Sequence, residues 1–224
     1  MKAVILAAGI GSRLGRKLPK PLTRLPSGKS IIFNQIKLLK ENDITEVIIV
    51  VGFKKEIIME EYPQVLFRYN PIYHITNTSK SLLMALESIG ADDVLWLNGD
   101  VYLDTMVLSR VIQAKGNIIA VNKAACGEEE VKYRTNDSGE IVEISKKVKD
   151  AEGEAVGVNK ITKSDFGIFL NSLKKCDDHD YFEKGIEIAI ARGAVFYPID
   201  ISDCKCVEVD FKKDLEQIKR QFNK

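Results

Sequence analysis

Histidine is scarce in this chain of 224 residues: only His74 and His179 occur, far apart, and they suggest no His-based site. The four cysteines, Cys126, Cys176, Cys204 and Cys206, include no Cys-x-x-Cys pair, so the pattern argues against a zinc site. Cys204 and Cys206 alternate along a predicted strand and share one face, which reads as reduced, structural cysteine. No sign of charge dominates either. The 33 lysines and arginines against 32 aspartates and glutamates leave a net charge of +1. That argues against a generic binder of nucleic acid or membrane surfaces, although local patches remain allowed. No apolar run approaches a membrane span. The short apolar run after Lys2 is near the minimum for a signal peptide, and Arg13, Arg16, Lys17 and Lys20 follow at once. A buried first strand and a cytoplasmic protein are the expectation. Repeats and low-complexity linkers are lacking too.

What is present is an alternation of apolar strands and amphipathic helices. Strands are predicted at 1–7, 46–51, 65–69, 93–97 and 118–121. Helices are predicted at 30–40 (with Ser30 as N-cap), 54–61, 79–89 and 105–113 (with Asp104 as N-cap). This order predicts an α/β fold with a doubly wound, mostly parallel sheet, whose ligands sit beyond the carboxyl ends of the strands. After about Lys123 the pattern changes. A hairpin is expected over 132–135 and 140–146 around Asn136-Asp137-Ser138-Gly139. An exposed, charged loop is expected over 147–157, with a further strand at 158–161. Helices at 164–175 and 180–192, strands at 195–199 and 205–209, and a closing helix at 211–223 complete the reading. A single domain over 1–224, with a small β-rich lobe inserted at about 123–165, is expected.

One stretch carries most of the chemistry: Leu6-Ala7-Ala8-Gly9-Ile10-Gly11-Ser12-Arg13-Leu14-Gly15, followed by Pro19-Lys20-Pro21-Leu22. Ala7, Ala8, Gly9 and Gly11 let a bulky ligand approach the backbone. A glycine turn can aim several N–H groups into one anion site, and Arg13 and Lys20 add full charges. The simplest ligand is a polyphosphate. Glycines after a strand also mark plain tight turns, but that reading leaves Ser12-Arg13 and Pro19-Lys20-Pro21 unexplained. A dinucleotide fingerprint fails because Leu14 occupies the third glycine position, and Val50-Val51-Gly52 offers no acidic residue after the second strand. A Walker loop fails because Thr23 stands where Gly28-Lys29-Ser30 would require a glycine.

Two carboxylates complete the picture. Asp100 follows a buried strand through Asn98-Gly99, and Asp210 ends Cys206-Val207-Glu208-Val209-Asp210. At one sheet edge they could hold magnesium against a triphosphate. Asp210 reads equally well as a helix cap. The run Thr76-Asn77-Thr78-Ser79-Lys80-Ser81 could meet a ribose, base or phosphate, or could simply cap the following helix. Among Lys146, Lys147, Lys149 and Lys160, one could clamp a second anion.

In these pieces the chain resembles the sugar-phosphate and alcohol-phosphate nucleotidyltransferases. Four elements match in order: the Gly9–Lys20 stretch, Asn77 to Ser81, Asn98-Gly99-Asp100, and Glu208-Val209-Asp210 followed by Asp214-Leu215. The resemblance implies metal-dependent transfer of a nucleoside monophosphate, with pyrophosphate as leaving group. By it, Gly9, Gly11, Ser12 and Arg13 hold the triphosphate, and Lys20 neutralises the α-phosphate. Asp100 and Asp210 hold Mg2+. Leu6, Ala7, Ala8, Asn77 and Ser81 lie near base and ribose, and Lys146 grips the acceptor phosphate. The short Arg13–Lys20 connection and the lack of Gly-Thr-Ala near Asn77 point away from thymidylyl- and uridylyltransferases. Thr76-Asn77-x-x-x-Ser81 and Gly153-Glu154-Ala155-Val156-Gly157-Val158 are similar to the cytidylyltransferases of phosphocholine, aminoethylphosphonate and inositol phosphate. The resemblance therefore implies CTP as donor and a small phosphorylated acceptor. Glu154, Tyr133 and Tyr181 are candidates to meet a cationic acceptor. A UTP- or other NTP-dependent sugar-1-phosphate transferase and a non-catalytic nucleotide-binding module are the alternatives. A stand-alone transferase is expected, and a homodimer is left open.

Overall fold

The computed structural model describes residues 1–11, 18–124, 126–127 and 130–222, without the side chains of 212, 221 and 222. The sequence-predicted calls at Ser12 and Arg13 lie outside the described residues. The apolar runs form the centre of the main sheet: β1 (Lys2–Ala7), β2 (Val47–Val51), β3 (Leu66–Tyr69) and β4 (Val94–Asn98). All five residues of β2 are buried, as expected of a strand covered on both faces. β1 pairs in parallel with β2 and β4, and β2 with β3. On the far side stand β6 (Asn117–Asn122), β9 (Gly153–Ile161) and β10 (Phe196–Asp200), in the spatial order β10-β6-β9-β4-β1-β2-β3.

Helices cover both faces. The helices α1 (Ile31–Glu41), α2 (Lys55–Glu61) and α4 (Thr105–Gln113) bury Ile32, Ile36, Ile58, Val107 and Val111 against one face. On the other lie α3 (Thr78–Leu86), α5 (Phe166–Leu173) and α6 (Phe182–Ile190). There Trp96 of β4 stacks on Phe169 at 5.1 Å between centroids and meets Phe182 edge-on at 5.8 Å. The hairpin β7 (Lys132–Thr135) and β8 (Ile141–Ser145) joins the sheet through β9. Ser30 caps α1 by accepting the Phe33 N–H, and Asp104 caps α4 by accepting the Val107 N–H, each at 3.2 Å.

Three expectations need correction. The exposed loop expected over 147–157 is in part strand. β9 starts at Gly153 and runs antiparallel between β4 and β6, the departure from an otherwise parallel core. Its glycines and glutamate disfavour a strand in isolation, but pairing on both sides overrides that. Gly153 is required by proximity, since a Cβ there would sit 2.4 Å from the Asn122 carbonyl oxygen. Second, Val101–Leu103, for which the sequence predicts no element, is a short strand, β5. It pairs antiparallel with β11 (Cys206–Glu208) in a ribbon separate from the main sheet. Third, Lys160 is not at the hairpin surface. It is 4% exposed, and its ammonium donates to the Ala114 carbonyl and, at 3.3 Å, to that of Ile112. A buried cation there satisfies the last carbonyls of α4 and complements its dipole.

Candidate active site

Asp100 is placed by a tightly braced turn. At the end of β4, the Gly99 N–H donates to the Leu6 carbonyl at 2.9 Å, and a Cβ on Gly99 would lie 2.7 Å from that oxygen. Gln35, 1% exposed on α1, donates from Nε2 to the carbonyls of Asn98 and Val101, each at 2.8 Å. These carbonyls flank Asp100, so one side chain fixes both ends of its turn. The β5–β11 ribbon then brings the other carboxylates. Its register sets Glu208 opposite Val101, and the Val209 N–H donates to the Asp100 carbonyl at 3.0 Å.

The start of the closing helix α7 (Lys212–Phe222) is braced from within. Asp214 accepts the Asp210 N–H at 2.9 Å and the Phe211 N–H at 2.6 Å. This is half of a capping box, with an acidic residue reaching back to the helix start. The Asp210 carboxylate faces Lys20. Asp100, Glu208 and Asp210 each present an oxygen within 4.8 Å of the others.

Lys20 sits among them, 3.1 Å from Asp100 and in contact with Asp210. It rides on a single 3-10 turn, Lys20–Leu22, set up by the flanking prolines. Gly11 has φ +64°, and a Cβ there would come within 2.6 Å of the Lys20 Cγ, so glycine is required both by conformation and by the lysine stem. Burial works against the Lys20 charge, but Asp100 and Asp210 outweigh it and hold its pKa above the ordinary lysine value. Burial pushes Asp100 up, only partly opposed by Lys20. Glu208 is exposed as a residue, yet its carboxyl lies in this cluster. Desolvation there, with the charges of Asp100 and Asp210, pushes it up to about 8. Three clustered carboxylates are more negative than one lysine can balance. The all-oxygen donor set fits a hard divalent cation beside a phosphate. Glu208 as a third candidate ligand is not legible in the sequence, where its alternation within a strand places it no differently from Cys206.

A cavity of about 340 Å³ opens over this cluster, lined on one side by Leu6, Ala7, Gly9 and Gly11 and on another by Asn77 and Thr78. Ala8 lies just beneath, buried, its carbonyl accepting the Phe53 N–H at 3.0 Å. The 76–81 run divides its labour. Asn77 is the N-cap of α3, accepting the Thr78 N–H at 2.8 Å, and also faces the cavity. Ser81 is turned away: it is 6% exposed, and its hydroxyl accepts from Asn70 at 3.0 Å. Asn70, fully buried, also donates to the Thr76 hydroxyl at 3.2 Å. Thr76 and Ser81 thus hold, through Asn70, the loop that presents Asn77.

The opposite wall comes from the start of α6: Tyr181, Phe182 and Glu183. Lys146 lies over the Tyr181 ring, 5.3 Å from its centroid. Glu183 is 8% exposed, and burial raises its pKa from the ordinary 4.5 to about 7. Two other candidates do not join this wall. Tyr133 is fully buried beneath the hairpin. Glu154 lines a neighbouring depression with Glu130, which meets the main cavity only at Glu208. Burial and then Glu130 push its pKa up to about 7.

The chain matches the MobA-like NTP transferase domain over residues 3–154. It is 28% identical to the CMP-5'-(3-aminopropyl)phosphonate synthase of Streptomyces rubellomurinus, over 100% of this chain and 39% of that protein. To the choline-phosphate cytidylyltransferase of Streptococcus pneumoniae it is 38% identical, over 44% of this chain and 47% of that one. The chain thus spans less than half the length of these two curated relatives. Among solved structures, the CTP:phosphocholine cytidylyltransferase from Streptococcus pneumoniae shares the fold with a TM-score of 0.83 at 23% identity, covering 99% of this chain and 98% of the other.

Proposed function

The chain belongs to the MobA-like NTP transferase domain family, and from that premise we propose that it transfers CMP from CTP to a small phosphorylated or phosphonate acceptor, releasing pyrophosphate. The observation that carries this reading is Lys20 held between Asp100 and Asp210, with Glu208 alongside, at the floor of a cavity edged by Gly9 and Gly11. An acceptor phosphate oxygen attacks the α-phosphorus, and the bond from that phosphorus to the oxygen bridging to the β-phosphate breaks. Both electrons of that bond leave with pyrophosphate.

The attacking oxygen needs no general base, because a phosphate monoester with a second pKa of about 6 is already dianionic at neutral pH. That suits a site without histidine. The work left to the protein is alignment and charge neutralisation. Asp100, Asp210 and Glu208 would hold Mg2+, which supplies charge neutralisation to the triphosphate when bound. Lys20, kept charged by its carboxylate neighbours, moves its ammonium toward the α-phosphate. Gly9 and Gly11 leave backbone room for the phosphates, with Ser12 and Arg13 of the same loop as their further partners. Ala7 and Asn77 face the base and ribose.

CTP as donor is supported by the Asn77 loop pattern and by the activities named for the relatives. In the described residues, no helix is long and apolar enough to cross a membrane. The test is a screen of each NTP with Mg2+ against phosphorylated acceptors, read as pyrophosphate release. CTP-dependent release is the expected result. Release with UTP and sugar 1-phosphates would move the assignment to the sugar nucleotidyltransferases, and nucleotide binding with no release would reject an enzyme.

A further inference from the structure

Among the described residues, Glu183 is the one charged group on the cavity wall that the transfer reading leaves without work. It is 8% exposed, and its Oε2 has no hydrogen-bond partner among the described residues. A carboxylate oxygen buried this way is costly unless something comes to meet it. Two residues earlier, the Tyr181 ring lines the same cavity and is 47% exposed. The ring already carries a cation, the Lys146 ammonium at 5.3 Å. An aromatic face and a carboxylate lining one cavity are the chemistry that recognises an organic ammonium.

We propose that Glu183 and Tyr181 form the recognition site for a cationic nitrogen on the acceptor, so that the substrate carries an ammonium group at one end and a phosphate or phosphonate at the other. This rests on the transfer reading and narrows its acceptor class. In the structure Lys146 stands where that ammonium would lie against the ring. When the acceptor enters, the Lys146 ammonium follows the acceptor's anionic end, and the ring passes from one cation to the other. Polyol and sugar phosphates, which bring hydroxyls alone, leave the Tyr181 face without a cation and are the disfavoured class.

The experiment compares acceptors of matched shape. With CTP and Mg2+, kcat/KM is measured for phosphocholine, for its uncharged isostere 3,3-dimethylbutyl phosphate, for phosphoethanolamine and for glycerol 3-phosphate. At least one ammonium acceptor is expected to exceed both neutral ones by about 10-fold or more. Glu183→Gln and Tyr181→Leu should each collapse that ratio several-fold, whereas Tyr181→Phe should keep most of it. The ratio is the readout because a merely structural role for either residue would lower all acceptors together. Equal turnover of ammonium and neutral acceptors, or preference for glycerol 3-phosphate, overturns the proposal while leaving the transfer reading intact. If no acceptor releases pyrophosphate, the transfer reading fails. Calorimetry of phosphocholine and its isostere with the wild-type protein then decides the recognition site alone: preferential phosphocholine binding sustains it, and equal or absent binding overturns it.

Discussion

The two ends of the cavity differ in how their charges are met. At the Lys20 end, Lys20 is in contact with two carboxylates, and Glu208 crowds in as a third. At the Glu183 end, a carboxylate oxygen is buried with no hydrogen-bond partner among the described residues. In the proposed transfer the first exchanges partners, giving up a lysine contact for a metal ion and a phosphate. The second is arranged to acquire one. Chemistry that must neutralise a moving charge needs charged groups already in place, since they then reorganise little during reaction. Recognition of a soluble ligand benefits from a wall whose polar group is unmet until that ligand arrives, because the wrong ligand leaves it unmet.

The largest effect that separates the two ends is on rate. Asp100→Ala and Lys20→Met are each expected to lower kcat for pyrophosphate release by about 10²-fold or more, with circular dichroism unchanged. Substitutions at Glu183 should act mainly through acceptor KM. If Lys20→Met lowered acceptor affinity and left kcat intact, the division between the ends would be wrong.

A smaller effect follows from pH. The Glu183 carboxyl binds its proton up to about pH 7 in the folded state, against 4.5 as its ordinary value. Between those values the folded state holds more protons than the unfolded one, so stability falls as pH rises through that window. The penalty is complete above pH 7 and amounts to on the order of 3 kcal/mol at most. Glu183→Gln removes it, so urea midpoints of the variant and the wild-type protein should diverge in favour of the variant from pH 5 to pH 8. A constant difference across that range would show that Glu183 is already met by another group.

The smallest effect is at the helix start. Asp214→Ala removes the acceptor of two N–H groups and should cost about 1 kcal/mol in thermal or urea unfolding, with a modest loss of activity through Asp210. A loss of activity as large as that from Asp100→Ala would instead place Asp214 among the ligands.

Much of this was readable from the chain. Repeated strand-then-helix patterning with Ser30 and Asp104 at helix starts follows from local rules, and the helix over Thr105–Gln113 falls where its cap and periodicity put it. The first half of β9 was hidden because Gly153, Glu154 and Gly157 resemble loop composition, and pairing with its neighbours extends the strand predicted at 158–161 back to Gly153. β5 was hidden because three residues carry too little pattern to separate from the Asn-Gly-Asp turn before them. Ser81 has the residue type for a ligand contact, but the buried Asn70 side chain takes its hydroxyl.

By itself the sequence determined the α/β alternation, the glycine loop with its following Lys20, and the presence of Asp100 and Asp210 at strand ends. Those features depend on neighbours within a few residues. Only the tertiary structure decided that Glu208 joins the two aspartates, that Asp214 reaches back to the start of the last helix, and that Tyr181 and Glu183 close the far wall of the cavity. The ribbon β5–β11 spans about half the chain in sequence, and α6 reaches the cavity by packing against α5, β8, α3 and Trp96. Side chains that meet across such separations follow strand register and core packing, which local periodicity does not encode.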